Sequence, residues 1–498
     1  MDEMTHSDDL TCDDAAPIEF GPGIDPQRLQ DCLAVLAEAG NLPAEHPDVT
    51  ALRRATSQLY KAAKQKRRSD RRAAITAADE EVTARTATGA QDRIDDETAG
   101  ILLAPTADTA TVGTLLRPRS CYICKKRYTD VDAFYHQMCA ECAGDNRNRR
   151  DIRVDLTGRR ALLTGGRAKI GMYIALRLLR DGAHTTITTR FPADAVRRFT
   201  AMEDSADWID RLTVVGIDLR DPGQVAALAD SVAAAGPLDI LINNAAQTVR
   251  RSRGAYAQLI EAEKEALPGG ELPELISFGY TPGSNSPAEL MSRLPHQRTT
   301  MSATELTEAA LTARSATPAR IDAATAIDAG GLVPDLDASN SWVATVEQVD
   351  PMELLEVQLC NATAPFILVS RLRPAMAAST FRRKYVVNVS AIEGQFSRRY
   401  KGPGHPHTNM AKAALNMLTR TSAGEMFESD RILMTAVDTG WITDERPHPT
   451  KMRLHEAGFH APLDLVDGAA RVYDPIVRGE AGDDLFGVFL KDYAPGAW

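Results

Sequence analysis

The chain has 498 residues, 44% hydrophobic and 25% charged, the balance of an ordinary soluble globular protein with room for two or three domains. A net charge of −11 and a pI near 5.5 argue against a nucleic-acid protein as a whole, because phosphate binding needs a basic surface. No run of ~18 apolar residues marks a membrane span, and the acidic "MDEMTHSDDLTCDDAAP" lacks the apolar core of a secretory signal, so the cytoplasm is the expected compartment.

Residues 1–24 read as a polar tail. "DPQRLQDCLAVLAEAG" (25–40) has an Asp-Pro helix start, apolar residues at helical spacing and a closing glycine. Residues 48–84 predict one or two longer helices, whose "KAAKQKRRSDRR" face is either solvated surface or a phosphate contact. A mixed connector over 87–118 completes an N-terminal region, 1–118.

Next comes "CYICKKRYTDVDAFYHQMCAEC": CxxC, fourteen residues, then CxxC. Four thiolates at this spacing suit tetrahedral zinc in a closed structural site held by Cys121, Cys124, Cys139 and Cys142. The readings left open are a redox dithiol pair, or a zinc ribbon assisted on nucleic acid by "RNRRDIR" (147–153). A zinc-stapled module over 119–153, docked on the following domain, fits the acidic balance better.

From "DLTGRRALLTGG" (155–166) the pattern becomes apolar strands alternating with helices, the mark of an α/β doubly wound parallel sheet filling 154–498. Strands are predicted at 161–165, 184–189, 212–218, 238–243, 385–390, 432–438 and 486–490. Helices are predicted at 170–181, 193–203, 222–235, 350–376, 409–427 and 464–477. An insertion at about 248–348 interrupts the series, with helical patches "YAQLIEAEKEAL" and "SATELTEAALTAR". Loops at the carboxyl ends of parallel strands hold ligands, so it is expected to be a substrate lid, with an oligomerisation arm as the alternative.

"TGGRAKIGMYIALRLL" (164–179) follows a strand and opens a helix, as a nucleotide-binding glycine turn requires. Gly165 permits a tight turn and Gly171 close helix–strand packing. The turn, with Gly166 and Ile170, then aims free N–H groups at a pyrophosphate. Arg190, after the second strand, stands where a side chain meets the adenosine ribose. An arginine fork there matches a 2′-phosphate, whereas an NAD site would place a carboxylate. Arg167 lies in position to assist. Asp218 ends the third strand at the height of the adenine amino group, and "INNAA" (242–246), with Asn244 and Ala245, leaves room for a cofactor.

"TGGRAKIG", "NNAA", the Asn361 helix and "MAKAALN", in this order, resemble the short-chain dehydrogenase/reductase family over roughly 155–490. The resemblance implies a Rossmann-type sheet, NADP(H) as cofactor, a small-molecule substrate and a homodimer or homotetramer, with neither nucleic acid nor membrane as partner. Lys169 stands where the middle glycine of TGxxxGxG falls, and an added charge contact to the diphosphate is the preferred reading. The family's catalytic set is Asn, Ser, Tyr and Lys. Asn361 and Lys412 hold the first and last places, Ala391 takes the serine position with Ser390 one residue early, and Thr408 takes the tyrosine position. A phenol near pKa ~10 can be tuned toward neutrality; an aliphatic hydroxyl, nearer water's ~15.7, cannot. Substitute proton donors lie in the longer stretch 393–408, which holds Glu393, Tyr400, His405 and His407; Tyr400 and His407 are the preferred pair. The alternative is that the histidines cap a turn and Tyr400 packs. "DTGWITD" replaces the family's Pro-Gly-x-x-x-Thr segment, with Thr439 or Thr443 on the nicotinamide amide and Trp441 as a pocket wall. The "EGQF…HPHTNMAK" block and the "FLKDYAPGAW" ending are similar to a divergent branch of the family. The expectation is an NADP(H)-dependent oxidoreductase acting on a carbonyl, imine or activated double bond of a small, specialised metabolite. An inactive cofactor-binding sensor or scaffold is the alternative.

Overall fold

Runs of β-branched and aliphatic residues with no polar alternation belong in a parallel sheet covered on both faces. The computed structural model describes residues 23–91, 93, 111–251, 254–278, 331–332, 337–398, 400–443 and 445–498. It divides the chain into two compact units, 1–77 and 78–498.

In the first unit, α1 (Pro26–Ala39) starts on Asp25, whose carboxylate accepts from Arg28 N at 3.0 Å, and ends at Gly40. Most of α2 (Pro47–Ala84) follows, a single helix where one or two were expected.

The second unit opens on a hairpin of β1 (Thr111–Ser120) and β2 (Arg127–Asp132), with the first CxxC pair at its turn. β1 lies in the stretch read as connector. Its signal was weak because only Leu115 along it is buried. The second pair leads into α3 (Ala140–Arg150), with Cys139 as N-cap.

The sheet follows: β3 (Arg160–Leu163), α4 (Lys169–Arg180), β4 (His184–Thr189), α5 (Pro192–Thr200), β5 (Leu212–Gly216), α6 (Pro222–Ala234) and β6 (Ile240–Asn243). α7 (Ala257–Ala262) and β7 (Glu274–Ser277) come from the insertion. Then α8 (Pro351–Gln358), a π-helical turn (Leu359–Thr363) and α9 (Ala364–Ala377) run on as one helix. β8 (Lys384–Ser390), α10 (Pro406–Asp430), β9 (Ile432–Asp438), α11 (His448–Glu456), α12 (Leu465–Glu480), β10 (Phe489–Lys491) and β11 (Ala494–Gly496) complete it.

The strand order is β11-β10-β9-β8-β6-β3-β4-β5-β7, parallel throughout except for the β10–β11 hairpin. All seven predicted strands take part. Alternation along β3 feeds two cores: Leu163 points to the layer holding Ile174 and Ile476, and Leu162 to the layer holding Leu228, Leu368 and Met426. β7 went unread because it is a four-residue edge strand with mostly exposed side chains. "SATELTEAALTAR" lies outside the described residues.

The α8–α9 helix (Pro351–Ala377) is apolar and long enough to pass as a membrane span, which the sequence reading did not flag. It packs instead as a layer helix, with Leu368, Leu372 and Met376 in the core and Glu353, Glu356 and Asn361 also buried.

The cysteine module sits on the sheet domain. Phe134, Tyr135 and Met138 pack with Ile442, Leu463 and Leu465. Tyr135 Oη donates to Asp467 at 2.6 Å, and Arg150 forks onto Asp464 at 2.7 and 2.9 Å. Arg147 and Arg149 pair with Asp132 and Asp474. These arginines of the "RNRRDIR" stretch are thus engaged inside the protein.

Candidate cofactor and active site

The carboxyl ends of β3, β4, β5, β6, β8 and β9 open into a cleft of about 880 Å³. Its floor is the glycine turn. Gly165 has φ +73°, and a Cβ there would lie 2.9 Å from Ala245 Cα. At Gly171 a Cβ would lie 2.0 Å from Gly165 O, which no side chain survives. Gly166 serves packing instead: its Cβ would strike Ile187 of β4 at 2.6 Å, and it does not line the cleft. Asn244 Nδ2 donates to the carbonyls of Thr164 and Gly165, each at 3.1 Å, and Asn244 N and Ala245 N donate to Thr164 Oγ1, each at 3.0 Å. The β6 loop thereby braces the turn. α4 begins without a side-chain cap, so its first N–H groups are available to an anion. Lys169 adopts φ +53°, the left-handed conformation glycine takes without cost, and its Nζ stands 3.9 Å from Glu445 Oε1. Arg167 pairs with Asp194, and Ile170 lines the cleft.

Arg190 lies at the end of β4, its guanidinium 5.3 Å from the Tyr256 ring centroid and 5.8 Å from that of Phe191. Among the described residues no carboxylate forms an ion pair with it. Asp218 lines the cleft, and its carboxylate is clamped by a neighbour. Both its oxygens accept from Arg220, at 2.6 to 3.1 Å, and Arg220 continues to Glu356 at 3.1 Å. Burial pushes the Asp218 carboxyl up, but the Arg220 hydrogen bonds and charge outweigh it and hold it below the usual range.

At the other end, Lys412 Nζ donates to Val389 O at 2.7 Å, and burial pushes its pKa down to about 8. Gly394 admits the α10 backbone here: a Cβ on it would lie 2.7 Å from Lys412 C. Asn361 sits in the π turn, its Oδ1 accepting from Gln247 N at 2.7 Å and its Nδ2 donating to Gln247 O at 3.0 Å. Ser390 Oγ donates to Asn416 Oδ1 at 2.6 Å, and Ala391 beside it carries no hydroxyl. Thr408 Oγ1 donates to His405 O at 2.9 Å, within its own helical turn. Thr439, Trp441 and Thr443 line the cleft.

Two expected residues are not brought in. His407 is 1% exposed, its Nε2 3.5 Å from Glu353 Oε1 under α8. Tyr400 is 73% exposed on the loop and does not line the cleft. The phase of α10 explains His407: residues 408 and 412 share the cleft face, whereas 407, 411 and 415 share the buried face. His405, just before the helix, lines the cleft instead. Sequence reasoning also missed Asn409, whose Oδ1 is buried and unpartnered, and Tyr122 and Lys125 of the CxxC turn, which wall the cleft. Tyr122 Oη accepts from Trp441 N at 2.9 Å. Trp342, Tyr256, Arg250 and Arg251 bring the insertion to the same cavity.

The four cysteine sulfurs lie within 4.8 Å of one another, Cys124 and Cys139 at 3.7 Å. Tetrahedral thiolates around an ion at ~2.3 Å are spaced ~3.8 Å apart, so the donor set fits a closed metal site.

The strand order, the glycine turn and the placing of Asn361 and Lys412 define a Rossmann-type domain of dehydrogenase build. A family model described as short chain dehydrogenase matches residues 159–264. An uncharacterized protein of Acanthamoeba polyphaga mimivirus is 30% identical over 377 residues, 73% of this chain and 72% of its own. A probable oxidoreductase of Streptomyces antibioticus is 40% identical over 92 residues, 18% of this chain and 30% of its own. Among solved structures, the NADPH-bound carbonyl reductase from chicken fatty liver aligns with a TM-score of 0.40 at 17% identity, covering 70% of this chain and all of that one. The chain belongs to the short chain dehydrogenase family.

Proposed function

We propose that the protein is an NADP(H)-dependent oxidoreductase that reduces a carbonyl, imine or activated double bond of a small metabolite, with zinc held by the four cysteines as a structural staple. The observation that carries it is Arg190. Among the described residues it is a cation without a carboxylate partner, lying beside the stacked Phe191 and Tyr256 rings at the end of β4, where a 2′-phosphate would meet its planar fork. The uncapped start of α4 would receive the diphosphate, and Lys412 the nicotinamide ribose. The bound dinucleotide supplies the hydride. The chain's own residues orient it, and Asn361 fixes the β6 loop beneath it by clamping both backbone atoms of Gln247.

A second reading, a cofactor-binding sensor without turnover, draws on Thr408 and Ala391 in place of tyrosine and serine. A panel of ketones and imines with NADPH separates the two. Turnover abolished by Lys412→Ala supports the enzyme; tight NADPH binding with no turnover across the panel supports the sensor.

A further inference from the structure

Resting on the oxidoreductase reading, we propose that His405 is the catalytic residue that gives its Nε2 proton to the reacting carbonyl oxygen or imine nitrogen, in the role a tyrosine would otherwise fill.

Of the other hydroxyls near the site, Thr408 commits its proton to the His405 carbonyl and Tyr400 faces solvent; Tyr122 Oη lies against the Gly440–Trp441 backbone, accepting from Trp441 N, and Tyr256 Oη accepts from Arg190. Glu393 is engaged by Arg398 at 3.3 Å.

His405 is held as an acid needs to be. Its ring stacks on Trp342 with centroids 3.9 Å apart and planes 11° apart. Nδ1 stands 2.7 Å from Trp342 O, and its backbone N donates to Ala344 O at 2.9 Å. A carbonyl only accepts, so Nδ1 keeps its hydrogen and Nε2 is the position that gains and loses a proton. No protein atom among the described residues partners Nε2, and the ring lines the cleft. The backbone is left-handed, φ 44° and ψ 48°, in a residue that is not glycine. Such strain persists where surrounding contacts over-determine it, as two residues of the insertion do here.

The step balances. Hydride from the dihydronicotinamide forms the new C–H bond, the C=O or C=N π pair moves onto oxygen or nitrogen, and that atom takes the proton as the Nε2–H bond breaks. The substrate is reduced, the nicotinamide oxidised, and neutral imidazole regains its proton from solvent. The groups whose charge or hydrogen bonding acts on the ring are the Trp342 carbonyl from the insertion, Glu393 from the turn after β8, Lys401 from the loop and, from the buried face of α10, His407. Burial lowers the ring's pKa, partly offset by the carbonyl and Glu393. The imidazole is therefore mostly neutral at pH 7, and reduction should speed up as pH falls.

His405→Asn tests this, because asparagine tolerates the left-handed backbone and its amide can replace Nδ1 at Trp342 O while removing Nε2. The probes are ethyl acetoacetate and pyrroline with NADPH. The expected result is kcat/KM down roughly 100-fold with the low-pH rise abolished, and NADPH affinity unchanged. An unchanged rate, or a single limb near pH 8 surviving the substitution, would give the proton to Lys412 and overturn the proposal. Diethyl pyrocarbonate, read by mass spectrometry, should modify His405 and spare His407; the reverse pattern also overturns it. Loss of NADPH binding by the unaltered protein would instead remove the oxidoreductase reading itself.

Discussion

A buried ammonium needs a counter-charge or a ligand, and among the described residues the Lys412 Nζ hydrogen bond is to one carbonyl, Val389 O. Its pKa, lowered to about 8, recovers when ribose hydroxyls and the dinucleotide's phosphates favour the charged form. Binding therefore takes up a proton above pH 8: the Kd for NADPH is flat below that pH and rises by up to ~10-fold per unit above it. Fluorescence titrations on either side of pH 8 check this, and a flat profile contradicts it. Lys169 gives a second outcome. A left-handed non-glycine residue costs roughly 1–2 kcal/mol, so Lys169→Gly is expected to raise the unfolding free energy by about 1 kcal/mol while weakening NADPH binding by removing a cation from the cleft. Denaturant melts and binding titrations separate the two effects. Gly165 and Gly171 were legible in the sequence because a tight turn and a close helix–strand approach follow from backbone geometry at fixed offsets from a strand, and the cleft position of Arg190 and Lys169 was legible from the same offsets. The clamp of Arg220 on Asp218 was not, since it depends on how one loop turns. Nor was the choice of His405 over His407, which turns on α10 starting at Pro406 rather than at the predicted 409.

Elements buried on both faces announce themselves: β8 and β9, with all seven residues of each buried, read directly from sequence. Edge elements such as β1 and β7 bury too little to leave a pattern. The π turn left no signal either, although it is what carries Asn361 to Gln247 without ending the helix. The two CxxC pairs were legible as a metal motif, but not the reach of Tyr122 and Lys125 into the cleft. Because those two residues lie between or beside the cysteines proposed as zinc ligands, stripping a bound metal should both destabilise the module and loosen the cleft wall. Elemental analysis is expected to find one zinc per chain. Chelation is expected to expose the four thiols to Ellman's reagent, to lower the melting midpoint by roughly 5 °C or more, and to weaken NADPH binding. Reaction of Cys121, Cys124, Cys139 or Cys142, distinguished from the exposed Cys32 by mass spectrometry, before chelation would contradict a closed site.

Across the whole molecule the net charge is −11, yet among the described residues the cleft is lined by eleven lysines and arginines against four carboxylates. Some of this charge is neutralised by partners such as Asp194 and Glu356. The remainder still concentrates attraction for a polyanion at one place on an acidic protein. Fold class, cleft position and the insertion's place over the cleft were expected from composition, strand–helix alternation and where the insertion leaves the sheet, whereas which of its residues wall the cavity required coordinates. The most direct test compares Kd values for NADPH and NADH by calorimetry, in the unaltered protein and in Arg190→Ala. A charge-assisted contact to the 2′-phosphate is worth ~1.5–3 kcal/mol, so NADPH is expected to bind about 10–100-fold tighter, with the preference collapsing in the variant. Equal affinity for the two dinucleotides in the unaltered protein would contradict it.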